Sequence, residues 1–348
     1  MYFLHLARDN PVHGEVQAVS TTKSARVRPT TSTRTRLRVE PEEIPRRPFG
    51  QTGETVSIIG MGGYHLGDIG SEREAVSLVH RAIDAGITFM DNAWEYHDGT
   101  SEQRLGKALA NGWRQKVFLM TKVCTHGRDA KVAMRQLTES LRRLKTDYLD
   151  LWQVHEVVYA GDPERHFMKG GVMEALDEAK RKGLVRFVGF TGHKDPALHL
   201  QMLSHGYPFD SVQMPLNCFD ATFRSFEQQV LPEVLRQGIA PIGMKTFGGE
   251  GDAVKKRAVK ADEALRYAMS LPVAVTVTGV DSMKVLRQNL GVARGFRPMG
   301  TLEMERLRAR CAPLAVDGRF ELYKTTAKHE ANVGRKQHGF PLQGELGG

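Results

Sequence analysis

Residues 56–90, VSIIGMGGYHLGDIGSEREAVSLVHRAIDAGITFM, contain one complete strand–helix–strand unit. Two short apolar runs, Val56–Met61 and Ile87–Met90, flank an amphipathic stretch at Ser71–Ala85. That stretch opens with a Ser-x-x-Glu capping box and is followed by a glycine, which are start and stop signals of a helix. Because the runs are apolar on both faces, the unit predicts parallel strands covered by helices.

The same alternation of strand and helix continues along the chain. Six further apolar runs are predicted as strands: Val117–Met120, Tyr148–Val154, Val185–Phe190, Ser211–Met214, Ile239–Met244 and Val273–Thr278. Helical patterns follow most of them, at Ala130–Leu144, Gly171–Arg181, Asp195–Ser204, Phe223–Arg236, Ala261–Met269 and Ser282–Ala293. Eight units fit a (β/α)8 TIM barrel of the α/β class, usually about 250 residues long, and we place it at residues 44–300.

An open doubly wound sheet would show the same alternation, but its dinucleotide-binding form carries G-x-G-x-x-G between the first strand and helix. The nearest stretch, residues 60–63 (GMGG), lacks the third glycine at that offset, which disfavours a Rossmann fold. Residues 47–55, RPFGQTGET, predict a hairpin turn in which Gly53 is free to take a positive φ. We expect this N-terminal β-hairpin to close the bottom of the barrel.

Much of the formal net charge of +9 lies in the first 38 residues, which carry a net +5. From Ser20 to Thr35, nine of sixteen residues are Ser or Thr, a composition too polar to offset the entropy of ordering. We therefore expect residues 1–43 to form a disordered basic tail. The more balanced remainder gives no compositional reason to expect a nucleic-acid partner.

Residues 301–348 follow the barrel as a C-terminal extension. They begin with an amphipathic helix predicted at Thr301–Leu314 and ended by Pro313, and whether the remaining tail covers the barrel mouth stays open.

The three cysteines lie far apart and form no C-x-x-C pair, which supports neither a disulfide framework nor a thiolate metal cluster. No run reaches the roughly 18 consecutive apolar residues of a membrane span. These features predict a cytoplasmic protein without a membrane partner.

Polar residues stand at the predicted strand ends, where a barrel of this kind places its chemistry. The second strand ends in Asp91, with Tyr96 five residues later, the third ends in Lys122 and the fourth in His155. An ammonium near a phenol favours the phenolate, which would lower the pKa of Tyr96 from its usual value of about 10. With a histidine opposite, these groups would polarise and protonate a carbonyl that receives hydride from elsewhere.

The same region carries sequence motifs of a known family. Residues 89–96, FMDNAWEY, followed by residues 101–109, SEQRLGKAL, are similar to the first signature of the aldo-keto reductases, F-x-D-T-A-x-x-Y-G-x-S-E-x-x-L-G-x-A-L. Matching stretches continue as far as residue 290. The resemblance implies a nicotinamide-dependent oxidoreductase, without a Rossmann domain, that reduces a small aldehyde or ketone to an alcohol.

The resemblance also implies roles for individual residues. Tyr96 is the general acid, Lys122 lowers its pKa, Asp91 is the counter-ion of Lys122, and His155 orients the substrate. NADP(H), or NAD(H), lies extended across the barrel mouth. The positions assigned to the cofactor are Thr191, Gly192, Gln213, Met244, Lys245, Gly279, Asp281 and Asn289.

Some of these positions depart from the family pattern. Residues 192–193, GH, replace the usual Asn-Phe, so one contact to the nicotinamide carboxamide is missing. Met244 stands where an aromatic side chain often stacks on the nicotinamide ring. Asp281 favours the ribose diol of NADH, whereas Lys284 and Arg287 suit the 2′-phosphate of NADPH. We expect use of either cofactor, with NADP(H) ahead.

Two other functions stay compatible with the sequence. One is a barrel that binds the cofactor as a redox-sensing regulatory subunit, since the family includes channel-associated members. The other is an isomerase or aldolase in which Lys122 forms a Schiff base, although Asp91 beside it argues against a neutral amine. A metal site is not predicted, because the spacing of His193, His199 and His205 is not the i, i+4 of a ligand pair on one helix face.

Overall fold

The computed structural model describes residues 43–124, 129–327, 329–337 and 339–346, so the predicted tail lies outside these ranges except for its last residue. An antiparallel hairpin of β1 (Arg46–Pro48) and β2 (Thr55–Ser57) comes first. In the described part of the chain, eight parallel strands then close a barrel: β3 (Ile59–Gly62), β4 (Phe89–Asp91), β5 (Phe118–Cys124), β6 (Leu149–His155), β7 (Val185–Thr191), β8 (Ser211–Pro215), β9 (Ala240–Met244) and β10 (Val275–Gly279). The predicted (β/α)8 barrel with an N-terminal hairpin is confirmed.

The hairpin fills the N-terminal end of the barrel. Phe49, in its turn, is fully buried, and its ring centroid lies 6.0 Å from that of Phe89 and 4.8 Å from that of Phe118. Arg47 donates to the carbonyl oxygens of Met269 and Val273, both at 2.8 Å. The predicted strand Val56–Met61 is therefore wrong as a single element, because its first residues pair within the hairpin and its last within the barrel.

Helices cover the outside of the barrel. The first is capped as predicted, since the Ser71 hydroxyl accepts a hydrogen bond from the Glu74 amide at 3.2 Å. The helices are α1 (Glu72–Asp84), α2 (Thr100–Ala108), α3 (Ala130–Leu144), α4 (Asp162–Phe167), α5 (Val172–Arg181), α6 (Pro196–Ser204), α7 (Phe226–Gln229), α8 (Leu231–Arg236), α9 (Asp252–Lys255), α10 (Ala261–Ser270), α11 (Met283–Ala293), α12 (Thr301–Ala315), α13 (Leu322–Thr325) and α14 (Asn332–Gln337). Short 3-10 turns lie at Tyr64–Gly67, Tyr96–Gly99, Arg114–Lys116 and Gln343–Glu345.

Proline explains one difference from the predicted helices and not the other. The predicted helix Phe223–Arg236 is two helices, α7 and α8, because Pro232 occupies the first turn of α8, where its missing N–H costs nothing. By contrast, Pro313 does not end α12, which continues to Ala315.

Two apolar layers surround the strands. Inside the barrel, Phe89, Met120, Leu151 and Ile242 are fully buried and pack with the hairpin. Between strands and helices lies a larger layer that includes Trp152, which is also fully buried. In the ranges that the structure describes, none of the helices has both the length and the apolar character that crossing a bilayer requires.

Candidate active site

A cavity of about 520 Å³ opens where the barrel strands end. Its walls come from the ends of β3, β4, β6, β8, β9 and β10, from the loops that follow several of the strands, and from the C-terminal segment. Because parallel strands all end at the same face of a barrel, residues far apart in sequence meet there. The residues predicted for the site that line this cavity are Asp91, Tyr96, His155, Gln213, Met244, Lys245 and Gly279.

A buried ion pair lies at the base of the cavity. Lys122, only 1% exposed, forms an ion pair with the Asp91 carboxylate through Oδ1 and donates to the Asn92 carbonyl oxygen at 2.8 Å. The second carboxylate oxygen of Asp91 accepts from Nε2 of Gln213, also at 2.8 Å. Both oxygens of Asp91 are thus bound, which fixes the ammonium of Lys122 in one place.

Tyr96 and His155 form the wall above this pair. Tyr96 begins the 3-10 turn that follows β4, and its ring meets His155 edge to face with centroids 5.8 Å apart. Lys122 Nζ lies 5.2 Å from the Tyr96 ring centroid, and Tyr64 packs against the same ring at 5.4 Å. The structure therefore brings the four residues predicted as catalytic to one place.

The pKa of Tyr96 differs from the expectation. Burial, followed by the charges of Asp91, Glu95 and Glu156, raises the pKa of Tyr96 well above its ordinary value of 10. The predicted lowering by Lys122 is wrong, because burial of the phenol and the charges of the three carboxylates outweigh the effect of the ammonium. The phenol is therefore protonated throughout the neutral range.

Side chains of helix α3 hold the segment that carries Tyr96. The Trp94 carbonyl oxygen accepts from Arg143 at 2.8 Å, and Trp94 Nε1 donates to Glu139 at 2.7 Å. Arg143 also contacts the buried Glu102 at 3.2 Å. Burial raises the pKa of Glu102. Helix α3 thus fixes the start of the turn through its contacts with Trp94.

The residues predicted for the nicotinamide lie beside the ion pair. Thr191 pairs with Gln213 across β7 and β8, and its hydroxyl lies 4.0 Å from the Met244 sulfur. Gln213 Oε1 is buried and has no hydrogen-bond partner among the described residues. A Cβ at Gly192 would collide with the carbonyl oxygen of Val157, so only glycine fits there.

Lys245 and His193 face the same cavity. Lys245 has a φ of +54°, and its Nζ lies 5.0 Å from the Tyr323 ring centroid. Burial lowers the pKa of Lys245 to about 8. Burial, followed by the charge of Lys245, lowers the pKa of His193 well below 6.5, so its imidazole is neutral at pH 7.

Four predicted cofactor residues do not line the cavity: Thr191 and Gly192, described above, and Asp281 and Asn289. Asp281 is exposed in the turn before α11, and Asn289 is buried on that helix. Asn289 Nδ2 has no hydrogen-bond partner among the described residues. Asp281 and Asn289 follow β10, so they lie beyond the edge of the cavity that Gly279 forms.

The C-terminal segment, whose place over the barrel mouth the sequence left open, contributes one wall of the cavity. His329, Glu330, Ala331 and Gln343 line the cavity, and the Ala331 amide donates to Glu156 at 3.1 Å.

Two buried ion clusters hold this segment on the barrel. Glu330 pairs with Lys194 and with Arg335. Lys324, fully buried, contacts Asp220 at 2.6 Å and Glu321 at 3.0 Å. The segment is thus tied to the loops that follow β7 and β8.

Two carboxylates in the cavity were also missed from the sequence. Glu95 Oε1 lies 2.5 Å from His155 Nδ1, and Glu95, His155 and Glu156 place ligand-type atoms within 4.8 Å of one another. The adjacency of Glu95 to Tyr96 was a usable signal, because a residue next to a site residue in a tight turn shares its surroundings.

Comparison with known proteins gives one consistent result. Residues 58–263 match the model of the Aldo/keto reductase family. The chain is 30% identical over 220 residues to 6-dehydroglucose reductase of Novosphingobium aromaticivorans, which covers 58% of this chain and 69% of that protein.

Solved structures show the same fold. The holo form of an aldo-keto reductase from Bacillus halodurans superposes with a TM-score of 0.66 at 22% identity, covering 77% of this chain and 96% of that one. An aldo-keto reductase from Klebsiella pneumoniae in complex with NADPH gives 0.64 at 20% identity, covering 78% and 95%.

Proposed function

Because the chain belongs to the aldo/keto reductase family, we propose that it reduces the carbonyl group of a small aldehyde or ketone with a reduced nicotinamide cofactor, with NADP(H) ahead of NAD(H). The observation that carries this proposal is the arrangement of Tyr96 and His155 on the cavity wall above the buried Asp91–Lys122 pair. A proton donor, a polar partner for the substrate oxygen and a fixed positive charge thus stand around one point of the cavity.

Each group has a distinct part in the reaction. Gln213, Met244 and Lys245 would hold a nicotinamide cofactor, which would serve as the hydride donor to the carbonyl carbon. Tyr96 gives its phenolic proton to the carbonyl oxygen, a transfer that is favourable because an alkoxide is a much stronger base than a phenolate. Lys122 then stabilises the phenolate that remains, and Asp91 holds Lys122 in place. Since the pKa of Tyr96 is raised, the acid is in its active form at neutral pH.

The cavity lining also offers groups that suit a nicotinamide. Gln213 Oε1, a buried acceptor with no described partner, suits the N–H groups of a carboxamide. Met244 lines the cavity next to it and offers a polarizable sulfur to a ring face. Lys245 lies close enough along the same wall to contact a phosphate. We assign these three residues to the cofactor, together with the backbone at Thr191 and Gly192.

The cofactor preference is a separate point. Lys284 and Arg287 are exposed on α11, where they suit a 2′-phosphate, and Asp281 is exposed beside them. The Klebsiella structure named above contains NADPH. We expect tighter binding of NADPH than of NADH, measured as dissociation constants by quenching of protein fluorescence. A large preference for NADH would contradict this order.

The proposed chemistry is tested by removing one oxygen atom. Tyr96→Phe should reduce turnover of a panel of small aldehydes and ketones by about 10²- to 10⁴-fold, followed by the loss of NADPH absorbance. Cofactor affinity should be nearly unchanged. Tyr148→Phe is the matched control, because Tyr148 is partly exposed at the start of β6, away from the cavity. Full activity of Tyr96→Phe would exclude the mechanism.

The substrate and the compartment are further parts of the proposal. The cavity wall carries Glu95, Glu156 and Glu330, so the panel should include hydroxylated aldehydes, whose O–H groups donate to carboxylates. The relative from Novosphingobium is named as a reductase of 6-dehydroglucose. The three cysteines are buried and are not joined in disulfides, which supports the reducing cytoplasm as the compartment.

A further inference from the structure

The structure assigns Glu95 as the residue that positions His155: we propose that its carboxylate accepts the Nδ1 hydrogen of the imidazole and so fixes which ring nitrogen is turned to the substrate. This assignment rests on the proposed carbonyl reduction for its consequence in turnover. Its structural part, the tautomer and orientation of His155, is independent of that reaction.

The contact between the two side chains is short and buried. Nδ1 of His155 lies 2.5 Å from Oε1 of Glu95, and the side chains are only 10% and 5% exposed. The N–H direction at Nδ1 is bent away from a linear hydrogen bond to Oε1. An ionised carboxylate is an acceptor only, so the ring nitrogen in contact with it is the one expected to carry hydrogen. Nε2 is on the opposite edge of the same ring, and the ring lines the cavity.

Glu95 is itself held in place from both sides of the chain. On one side, the Trp94 carbonyl is bound by Arg143 and the Trp94 amide donates to the Lys122 carbonyl at 3.1 Å. On the other side is Tyr96, and the Glu95 carbonyl accepts from the Asp98 amide at 3.2 Å. The backbone that carries Glu95 is therefore fixed, and its side chain is only 5% exposed, so it has little room to move, as an orienting group requires.

One dipeptide then serves both groups that meet the substrate oxygen. Tyr96 supplies the proton, and Glu95 aims the histidine that stands 5.8 Å from it, centroid to centroid. The same arrangement, a functional histidine held by a carboxylate at its second nitrogen, is used wherever the ring must present one defined nitrogen. Loss of Glu95 should thus disturb the geometry of His155 while leaving the acid, the ion pair and the cofactor side intact.

The test uses the full chain with ¹⁵N-labelled histidine. In the wild type, the His155 ring, identified by its absence in His155→Asn, should show a protonated Nδ1 under conditions where the ring is neutral. Glu95→Met removes the acceptor and should abolish the preference for the Nδ1–H tautomer, whereas Glu95→Asp should retain it. Equal ring ¹⁵N shifts in the wild type and in Glu95→Met, or a wild-type Nε2–H tautomer, would overturn the assignment.

Kinetics give the second measurement. Glu95→Met should lower kcat for carbonyl reduction by about 10- to 100-fold, the loss that follows removal of carboxylates that orient metal-bound histidines, with unchanged NADPH affinity and partial recovery in Glu95→Asp. Asp98→Asn is the matched control: the residue is exposed on the same turn, at a φ of +53° that asparagine tolerates. An unaltered kcat in Glu95→Met would reject the role in turnover.

The two proposals fail separately. If the wild type reduces no carbonyl in the panel, the proposed function is wrong. The tautomer of His155 then still tests whether Glu95 orients the imidazole. If the wild type is active and Tyr96→Phe is not, while Glu95→Met matches the wild type in tautomer and rate, only the assignment of Glu95 is wrong.

Discussion

Replacement of Lys324 by methionine should release the C-terminal segment from the barrel mouth. The ammonium of Lys324 is fully buried and makes three contacts: Asp220 at 2.6 Å, Glu321 at 3.0 Å and the Phe223 carbonyl oxygen at 2.7 Å. Methionine keeps the volume of the side chain and removes the charge, so two buried carboxylates lose their counter-ion. Removing one partner of a buried ion pair costs about 3–5 kcal/mol.

Calorimetry and hydrogen exchange together show where this free energy is lost. If the loss is global, the melting temperature should fall by roughly 5–15 °C. If it is local, amides in α13 and α14 should exchange faster while the barrel strands keep their protection. Burial already raises the pKa of both Asp220 and Glu321, so the variant should be less destabilised at acidic pH, where the carboxyl groups are neutral.

A second substitution checks the electrostatic cause. Asp220→Asn combined with Lys324→Met leaves one buried carboxylate instead of two, and Glu321 retains hydrogen bonds from Tyr323 at 2.6 Å and Asn217 at 3.0 Å. The double variant should therefore be more stable than Lys324→Met alone. Wild-type melting temperature and exchange rates in Lys324→Met would refute the reasoning, as would a double variant that is the less stable of the two.

Three further predictions concern the acid, the C-terminal wall and a buried histidine. Because the pKa of Tyr96 is raised, the rate of carbonyl reduction should not change with pH through the neutral range. The rate of alcohol oxidation, which needs the phenolate, should rise with pH. Initial rates in both directions measure this, and an oxidation rate that falls with pH would contradict it. A chain that ends at Ala327 keeps the Lys324 cluster but loses the cavity wall formed by His329–Ala331. It should accept a wider range of carbonyl substrates with unchanged NADPH affinity. An unaltered range in the carbonyl panel would show that this wall does not select substrates. Burial lowers the pKa of His199 to about 4 from 6.5, so the unfolded chain binds more protons between these values, and folding stability should fall by about 3 kcal/mol as the pH drops through this window. His199→Gln should remove this part of the pH dependence of the free energy of unfolding, measured by urea unfolding at the two ends of this pH window. A pH dependence equal to that of the wild type would argue against it.

The barrel and its catalytic end follow from local signals in the sequence. Strands that are apolar on both faces and amphipathic helices between them determine a parallel sheet, and the end of each strand is then the place to look for chemistry. Asp91, Lys122 and His155 were found in this way because each lies in or at the end of a buried strand, where a polar side chain is costly unless it serves a purpose.

The remaining parts of the site depend on contacts between residues distant in sequence. Glu330 reaches the cavity through a segment whose position is set by ion pairs with Lys194 and Arg335, which no local pattern encodes. The pKa of Tyr96 is raised first by burial and then by the charges of Asp91, Glu95 and Glu156, which together reverse the effect expected from Lys122 alone. Similarly, Asp281 and Asn289 follow the last strand, so their distance from the cavity depends on the path of the turn before α11.

The hairpin at the other end of the barrel has a consequence for how the protein can change. Phe49 and Arg47 pack into that end of the barrel, whereas the cavity opens at the mouth. The two ends of the barrel therefore have different roles. The hairpin end stabilises the fold, and the residues at the mouth can vary. Substitutions around Phe49 should change the stability of the fold without changing the present activity. They should thereby change how many substitutions the loops at the mouth tolerate, and so how readily new activities arise there.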